Sequence, residues 1–232
     1  MMPDDTRTMT VASKDMLRKL IPDFLLKQRG IVLRLGPGAG RIYATLRLLD
    51  ALGIRASNRR LVPTSARSFL FVCFGNIMRS AMAEFLMRQA LKEAGLDEQV
   101  RIMSAGLHAI AGREAHLWAQ EASADLGISM AAHRAKPLTR EMVEQADCIL
   151  AMDFQNKAEL LALYPESQGK IYMLSAYAER PWQYREIPDP YLGDLETTRF
   201  CGRQLQTCIH NLMLSTFPSF AYSMKQNVVG GR

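Results

Sequence analysis

The sequence predicts an α/β fold in which a four-stranded parallel sheet is covered by helices on both faces. Short apolar runs alternate with amphipathic helical patterns from residue 67 to residue 217. One run, D-C-I-L-A-M at residues 147–152, is apolar after its first residue, which is typical of a strand covered on both faces. Strands that alternate with helices at this spacing favour right-handed crossovers and hence a doubly wound sheet.

The predicted elements follow one another along this region. Gly95 and Gly127 stand where two of the helices end, and Thr139 is a suitable N-cap for a short helix that begins at Arg140. Strands are predicted at residues 68–72, 100–103, 147–152 and 170–174, and further helices at residues 81–94, 113–126, 156–163 and 195–214.

The first 66 residues form a basic extension. They carry 12 Lys and Arg against 5 Asp, whereas the remaining 166 carry 17 Lys and Arg against 18 Asp and Glu. The basic excess therefore lies in the extension, and the region that follows is nearly neutral, which gives no support to nucleic-acid binding. We predict an extension and linker at 1–66, a catalytic domain at 67–217 and a tail at 218–232.

Within the extension, we predict a helix from Ser13 to about Gln28, a strand at residues 31–35 and a helix at residues 41–52. The glycines of G-P-G-A-G at residues 36–40 admit two interpretations, a dinucleotide-binding turn after a strand or a turn between two helices. We favour packing of the extension on its own domain, and contact with an anionic membrane surface is the alternative. Holding a partner protein is a further alternative, and we expect removal of residues 1–66 to leave the chemical step intact but to alter solubility or membrane association.

The compartment is predicted from the cysteines and the start of the chain. Cys73, Cys148, Cys201 and Cys208 are irregularly spaced and form no C-x-x-C pair, which indicates a reducing compartment rather than a disulfide framework. The first residues, M-M-P-D-D-T-R, lack the pattern of a signal peptide, and no apolar run reaches the length of a membrane span. We therefore expect a cytoplasmic location.

The stretch S-F-L-F-V-C-F-G-N-I-M-R-S-A-M-A-E at residues 68–84 carries the chemistry. A strand that feeds a helix through such a loop points unpaired amides into one cup, which suits a phosphate group. Arg79 would add a planar fork for two phosphoryl oxygens, and Cys73 would lie beneath the phosphorus, where the helix start and the arginine favour its nucleophilic thiolate. Ser80 would donate to the sulfur. The predicted phosphate-binding residues are Phe74, Gly75, Asn76, Ile77, Met78, Arg79 and Ser80.

Asp189 is the candidate general acid and base. It lies between two prolines in I-P-D-P-Y at residues 187–191. The preceding predicted strand ends at the same edge of a parallel sheet as the strand before Cys73, so Asp189 can reach the cup. One carboxyl group can protonate a leaving group and later activate water.

These two motifs resemble those of the low-molecular-weight protein tyrosine phosphatases, and the resemblance covers about residues 68–214. It implies a flavodoxin-like fold and the hydrolysis of phosphotyrosine in proteins through a phosphocysteine, with Cys73 as nucleophile, Arg79 as phosphate ligand and Asp189 as general acid. It also implies that Asn76 and Ser104 brace the loop, that no cofactor or metal is needed, and that the partner is a phosphorylated protein. Bacterial relatives commonly oppose a tyrosine kinase, so such a kinase is an expected partner.

The chain departs from the family pattern at several positions. Met78 stands where many relatives have a second cysteine, and Ala81 stands where they have proline. Relatives that act on phosphoarginine carry threonine at the position of Ile77, so isoleucine favours an aryl phosphate. Leu192 replaces the second tyrosine of the usual D-P-Y-Y motif. The candidates for the walls of the substrate pocket are Phe74, Ile110, Trp182 and Tyr191.

Two alternatives stay open at this point. Thioredoxin-coupled arsenate reductases share the loop but need two further cysteines on a mobile segment, and Cys148, Cys201 and Cys208 all lie in patterns typical of a core. An inactive phosphate-binding adaptor is the other alternative. The four histidines show no metal-binding spacing.

Overall fold

The computed structural model describes residues 23–54, 58–218 and 220. The chain folds into four strands, six α-helices and three short 3₁₀ segments in the described ranges. In chain order the α-helices and strands are α1 (Asp23–Ala51), β1 (Ser68–Cys73), α2 (Arg79–Glu93), β2 (Arg101–Gly106), α3 (Leu117–Ala124), α4 (Arg140–Gln145), β3 (Cys148–Ala151), α5 (Phe154–Leu163), β4 (Ile171–Met173) and α6 (Leu195–Thr216). The 3₁₀ segments are Pro165–Lys170, Leu174–Tyr177 and Pro190–Leu192.

The four strands form one parallel sheet in the order β2-β1-β3-β4. β1 is central, and all six of its residues are buried. Because all strands run in one direction, their carboxyl ends share one edge, where ligands bind in sheets of this kind. In the register of β1 with β2, Cys73 lies opposite Gly106 at that edge.

Side chains of alternate residues on the strands enter two apolar layers, one on each face of the sheet. Phe69, Phe71 and Cys73 face a core that is completed by α2, α3 and α6. Leu70 and Val72 face the opposite core, which is completed by α1, α4 and α5. The expected α/β fold with a doubly wound, flavodoxin-like sheet of four parallel strands is thus confirmed.

The structure corrects the prediction for the extension. Residues 31–35, predicted as a strand, are helical, and α1 runs through them with a kink at Gly36, whose φ is 74°. The apolar side chains Ile31, Tyr43 and Leu46 are buried against the sheet core beside α5. Burial on a neighbouring helix therefore overrides the strand propensity of I-V-L. The dinucleotide-binding interpretation loses its structural context, because no strand precedes these glycines in the described part of α1.

Several boundaries differ from the predictions by a few residues. The helix predicted at 113–126 is shorter and covers Leu117–Ala124, whereas the helix predicted at 156–163 begins two residues earlier, at Phe154. Thr139 caps α4 as predicted, because its hydroxyl accepts the N–H of Met142 at 3.2 Å.

The predicted helix from Ser13 lies mostly outside the described residues, and so does most of the tail. The division of the chain into three regions stays a prediction. Among the described helices, none has an apolar stretch long enough to cross a membrane.

Candidate active site

Cys73 is the last residue of β1, and the phosphate loop, defined as residues 74–78, joins it to α2. Met78 stands at the N-cap of α2 without a side-chain hydrogen bond to the first turn. The first amides of a helix have no acceptor within it. The loop and the start of α2 therefore offer backbone N–H groups beside Cys73, and that of Asn76 points at its sulfur.

The sulfur of Cys73 is buried and has two polar neighbours. Its Sγ lies 3.0 Å from Ser80 Oγ, and the backbone N–H of Asn76 donates to Sγ at 3.3 Å. The Asn76 N–H therefore points at the sulfur, and the Ser80 hydroxyl, which also lies 3.3 Å from the carbonyl oxygen of Ala105, is within hydrogen-bond distance of it.

Asn76 holds the loop to the rest of the domain. Its φ is 52°, a left-handed conformation that asparagine tolerates, whereas Gly75 keeps an ordinary φ. Its Nδ2 donates to Ser80 Oγ at 2.9 Å and to Ser104 Oγ at 2.8 Å, and its Oδ1 accepts the N–H of Lys136 at 2.9 Å. The expectation that Asn76 and Ser104 brace the loop fits these distances.

Two further braces were not predicted from the sequence. His133 is buried, and its Nε2 lies 2.6 Å from the carbonyl oxygen of Asn76. Because a carbonyl only accepts, this nitrogen carries the proton. Glu84 is also buried, and its carboxylate accepts from Ser104 Oγ and from Arg88 Nη2.

Gly106 lets the phosphate loop lie directly on the end of β2. A Cβ at this position would stand 2.8 Å from Asn76 N, Gly75 C and Phe74 O, all of which are backbone atoms. The S-A-G sequence at residues 104–106 therefore supplies a hydroxyl brace and a space without a side chain.

Arg79 is 2% exposed and joins the loop to two carboxylates. Its Nη1 donates to Asp153 at 2.6 Å and to the carbonyl of Ile187 at 3.0 Å, and its Nη2 donates to Asp189 at 2.7 Å. Burial disfavours the charged guanidinium, but Asp153, Asp189 and the Cys73 sulfur outweigh it and raise the pKa of Arg79. The sequence analysis did not single out Asp153 as a partner of Arg79.

Asp189 precedes the 3₁₀ segment Pro190–Leu192 and caps it, since its Oδ1 accepts the N–H of Tyr191 at 3.2 Å. Its side chain is 46% exposed, in contrast to that of Arg79. The candidate acid is thus held through both oxygens, Oδ2 by Arg79 and Oδ1 by the N–H of Tyr191, while its side chain stays open to solvent.

A cavity of about 220 Å³ lies between these groups. Three of the four candidate wall residues, Phe74, Ile110 and Tyr191, line it, whereas Trp182 packs against Phe200 with 5.6 Å between ring centroids. The residues that line the cavity are Cys73, Phe74, Gly75, Ile77, Met78, Arg79, His108, Ile110, Arg113, Asp189 and Tyr191. The predicted nucleophile, phosphate ligand and acid therefore meet in one place. His108 follows S-A-G in the sequence, a position from which it is expected to face the crevice, whereas Arg113 was not predicted as part of the wall.

The other three cysteines are buried in regular elements. Cys148 lies in β3, and Cys201 and Cys208 lie in α6. Burial raises the pKa of Cys201 and of Cys208 to about 12, and it raises the pKa of Cys148 further. None of them lies on a loop, where a disulfide relay of the arsenate reductase type needs its cysteines.

Comparison with known proteins agrees with this geometry. The family model described as "Low molecular weight phosphotyrosine protein phosphatase" matches residues 68–226. A low molecular weight protein-tyrosine-phosphatase, Ptp, of Acinetobacter johnsonii is 36% identical over 143 residues, which are 62% of this chain and 93% of that protein.

A protein-arginine-phosphatase of Bacillus subtilis is 32% identical over 143 residues, again 62% of this chain and 92% of that protein. Among solved structures, the YwlE arginine phosphatase, in a Cys-to-Ser mutant with a phosphorylated active-site serine, superposes with a TM-score of 0.59 and 29% identity. The superposition covers 64% of this chain and 94% of the YwlE chain.

The family model covers more than half of the chain and begins with the strand that ends at Cys73. The chain belongs to the low molecular weight phosphotyrosine protein phosphatase family.

Proposed function

We propose that this protein hydrolyses phosphotyrosine in proteins through a phosphocysteine intermediate. Cys73 Sγ attacks phosphorus, the bond from phosphorus to the phenolic oxygen breaks, and Asp189 gives its proton to the departing phenoxide. Asp189 then takes a proton from a water molecule, whose oxygen attacks phosphorus. The S–P bond breaks, and inorganic phosphate and the Cys73 thiolate are released.

The meeting of Cys73, Arg79 and Asp189 in one cavity is the observation that carries this proposal. Arg79 and the open amides of the phosphate loop supply fixed donors for the equatorial oxygens of the transferring group. The phosphorylated serine in the YwlE mutant supports a covalent intermediate, because that serine replaces a cysteine in the active site of a related protein.

The substrate class is proposed from the cavity wall. Phe74 and Tyr191 offer aromatic surface to a phenyl ring, and His108 lies against Phe74 with 4.6 Å between ring centroids. Ile77 supplies an apolar group where relatives that act on phosphoarginine carry threonine. These features favour an aryl phosphate over phosphoarginine, although arginine phosphatases are among the relatives.

The partner and the location complete the proposal. A tyrosine-phosphorylated protein is the substrate, and a bacterial tyrosine kinase that this enzyme opposes follows from the family resemblance. The proposed location is cytoplasmic, which the four free cysteines support. Membrane contact by the extension stays a prediction, and the burial of Ile31, Tyr43 and Leu46 favours packing on the domain.

The proposal is tested with purified protein in the presence of a chelator, with p-nitrophenyl phosphate and a phosphotyrosine peptide as substrates. We expect Cys73→Ser to abolish turnover and Asp189→Ala to lower kcat/KM about 10²-fold, within the range of general acid catalysis. Asp194→Ala is the matched control, since Asp194 caps α6 and lies outside the cavity.

A second measurement traps the intermediate. Rapid quenching of the wild-type reaction with a ³²P-labelled aryl phosphate is expected to label Cys73. A folded wild-type protein without turnover, or turnover that survives in Cys73→Ser, would contradict the proposal. Preferential hydrolysis of phosphoarginine peptides would contradict the substrate class alone.

A further inference from the structure

Helix α1 of the extension contacts the first residue of the acid loop, which we define as residues 186–189. Arg47 Nη1 on α1 lies 2.7 Å from Glu186 Oε2. The other carboxylate oxygen of Glu186 accepts the backbone N–H of Phe154, at the start of α5, at 2.8 Å. Glu186 therefore joins α1 and α5, three residues before Asp189.

Arg47 is itself held on two sides. Its Nε donates to Tyr43 Oη at 2.9 Å, and Tyr43 Oη donates to Gln28 Oε1 at 2.5 Å. Its guanidinium lies 5.1 Å from the ring centroid of Phe154. Tyr43 is fully buried, so its hydrogen bond with Arg47 joins the guanidinium to the core of the molecule.

The Arg47–Glu186 pair is partly buried, with side-chain exposures of 31% and 21%. The pKa of Glu186 is raised overall, because burial outweighs the lowering by Arg47 and by the N–H of Phe154. An ion pair in such surroundings is screened by water less than a surface pair. Arg47 therefore favours the charged form of this carboxylate and orients it through the 2.7 Å contact.

The short backbone of the acid loop connects Glu186 to Asp189. The N–H of Ile187 donates to the carbonyl of Met152 at 2.9 Å, and the carbonyl of Ile187 accepts from Arg79. Pro188 and Pro190 restrict the backbone on either side of Asp189. Because the loop is short and stiff, we expect a shift at Glu186 to displace the carboxyl group, and misplacement of about 1 Å can cost about 10²-fold in rate.

We propose that Arg47 is a positioning residue for the general acid, so that the N-terminal extension takes part in setting the geometry of Asp189. This inference rests on the proposed phosphatase function. It acts through the contacts of Glu186 and requires no contact between α1 and the substrate.

The test compares kcat/KM for two substrates, phenyl phosphate and p-nitrophenyl phosphate. Phenoxide is the poorer leaving group and depends more on protonation in the first chemical step, which kcat/KM reports. We expect Arg47→Met to lower kcat/KM about tenfold for phenyl phosphate and less than about threefold for p-nitrophenyl phosphate, a partial loss of the general acid effect. A purely structural defect would lower both values by the same factor.

Three further variants distinguish the positioning role of Arg47 from a general effect of the substitution. Arg47→Lys retains a cation for Glu186 and is expected to recover most of the phenyl phosphate activity, while Glu186→Gln is expected to reproduce the effect of Arg47→Met. Arg41→Met is the matched control, because Arg41 lies on the same helix, is exposed and donates to the carbonyl of Pro37. Circular dichroism and thermal unfolding of each variant confirm the fold.

A double-mutant cycle completes the experiment. In the Asp189→Ala background, Arg47→Met is expected to cause no further loss for either substrate, because the group that it positions is gone. Three results would overturn the inference but not the proposed function. They are equal losses for both substrates, a wild-type ratio of the two kcat/KM values in folded Arg47→Met and Glu186→Gln, and additive effects with Asp189→Ala. A wild-type protein that hydrolyses neither ester would overturn the proposed function and the inference with it.

Discussion

Single polar residues far apart in the sequence hold the phosphate loop. His133, Lys136 and Ser104 all bind Asn76, through its carbonyl, its Oδ1 and its Nδ2 respectively. Buried groups of this kind are costly to leave unpaired, so each contact favours one conformation of the loop. The loop is therefore held ready for a phosphate by two side chains and one backbone N–H that lie outside the loop.

His133 makes one of these contacts dependent on pH. Its burial lowers its pKa below the usual 6.5, so the imidazole is neutral in the folded state and donates from Nε2. As the pH falls through about 6.5, the unfolded chain takes up this proton before the folded chain does. We expect the free energy of unfolding of the wild type to decrease between about pH 7.5 and about pH 5.5, and less so for His133→Gln, which keeps a donor.

Urea unfolding at these two pH values measures the effect. His210→Gln is the control, because it removes an exposed histidine, and it should keep the wild-type decrease. An identical decrease in the wild type and in His133→Gln would show that His133 is not the responsible group.

At the scale of elements, the close approach of β2 and the phosphate loop depends on one position. Gly106 lies opposite Cys73, and three backbone atoms of the phosphate loop occupy the space that a Cβ would need. Backbone cannot move aside as the end of a side chain can. The strand and the loop are therefore one structural unit, although 30 residues separate them.

We expect Gly106→Ala to displace the phosphate loop. Overpacking of a dense region costs about 1–3 kcal/mol of stability, and loss of aligned donors lowers kcat/KM by about 10²-fold. The measurements are aryl phosphate kinetics and competitive inhibition by inorganic phosphate. Gly169→Ala is the matched control, since a Cβ there meets nothing within 4 Å. Wild-type phosphate inhibition in Gly106→Ala would contradict the prediction.

The elements that local sequence determines were predicted, and those that depend on distant contacts were not. β1 and β3 are continuous apolar runs, and Cys73, Arg79 and Asp189 belong to two short motifs, so pattern alone locates them. Residues 31–35, I-V-L-R-L, also have strand propensity, and they are helical because Ile31 is buried and Val32 and Leu35 pack against the sheet core beside α5. Likewise, Asp153 and His133 are separated from the phosphate loop by more than 50 residues, and no local signal links them to it.

At the scale of the whole molecule, the extension and the family domain share one apolar core. Leu46 of α1 is buried with Leu70 and Val72 of the central strand, whereas Leu48, two residues further along the same helix, is 60% exposed. A shared core predicts that the two parts unfold together in one cooperative transition.

This prediction is tested with a pair of matched substitutions. Leu46→Ala should reduce the free energy of unfolding by about 2–3 kcal/mol, as expected for a buried leucine at the edge of a core. Leu48→Ala should change it by less than about 0.5 kcal/mol. Denaturant unfolding, followed by tryptophan fluorescence and far-ultraviolet circular dichroism, measures both. Two separate transitions, or equal effects of the two substitutions, would show that α1 does not belong to the core.

The packing of α1 has a practical consequence for work with this protein. A fragment chosen from the limits of the family model would begin at residue 68 and would leave out α1. The partners of Ile31, Tyr43 and Leu46 would then face water as a contiguous apolar patch, the kind of surface that promotes aggregation. An expression fragment that yields well-behaved protein should therefore begin before residue 23, outside the limits that alignment with shorter relatives suggests.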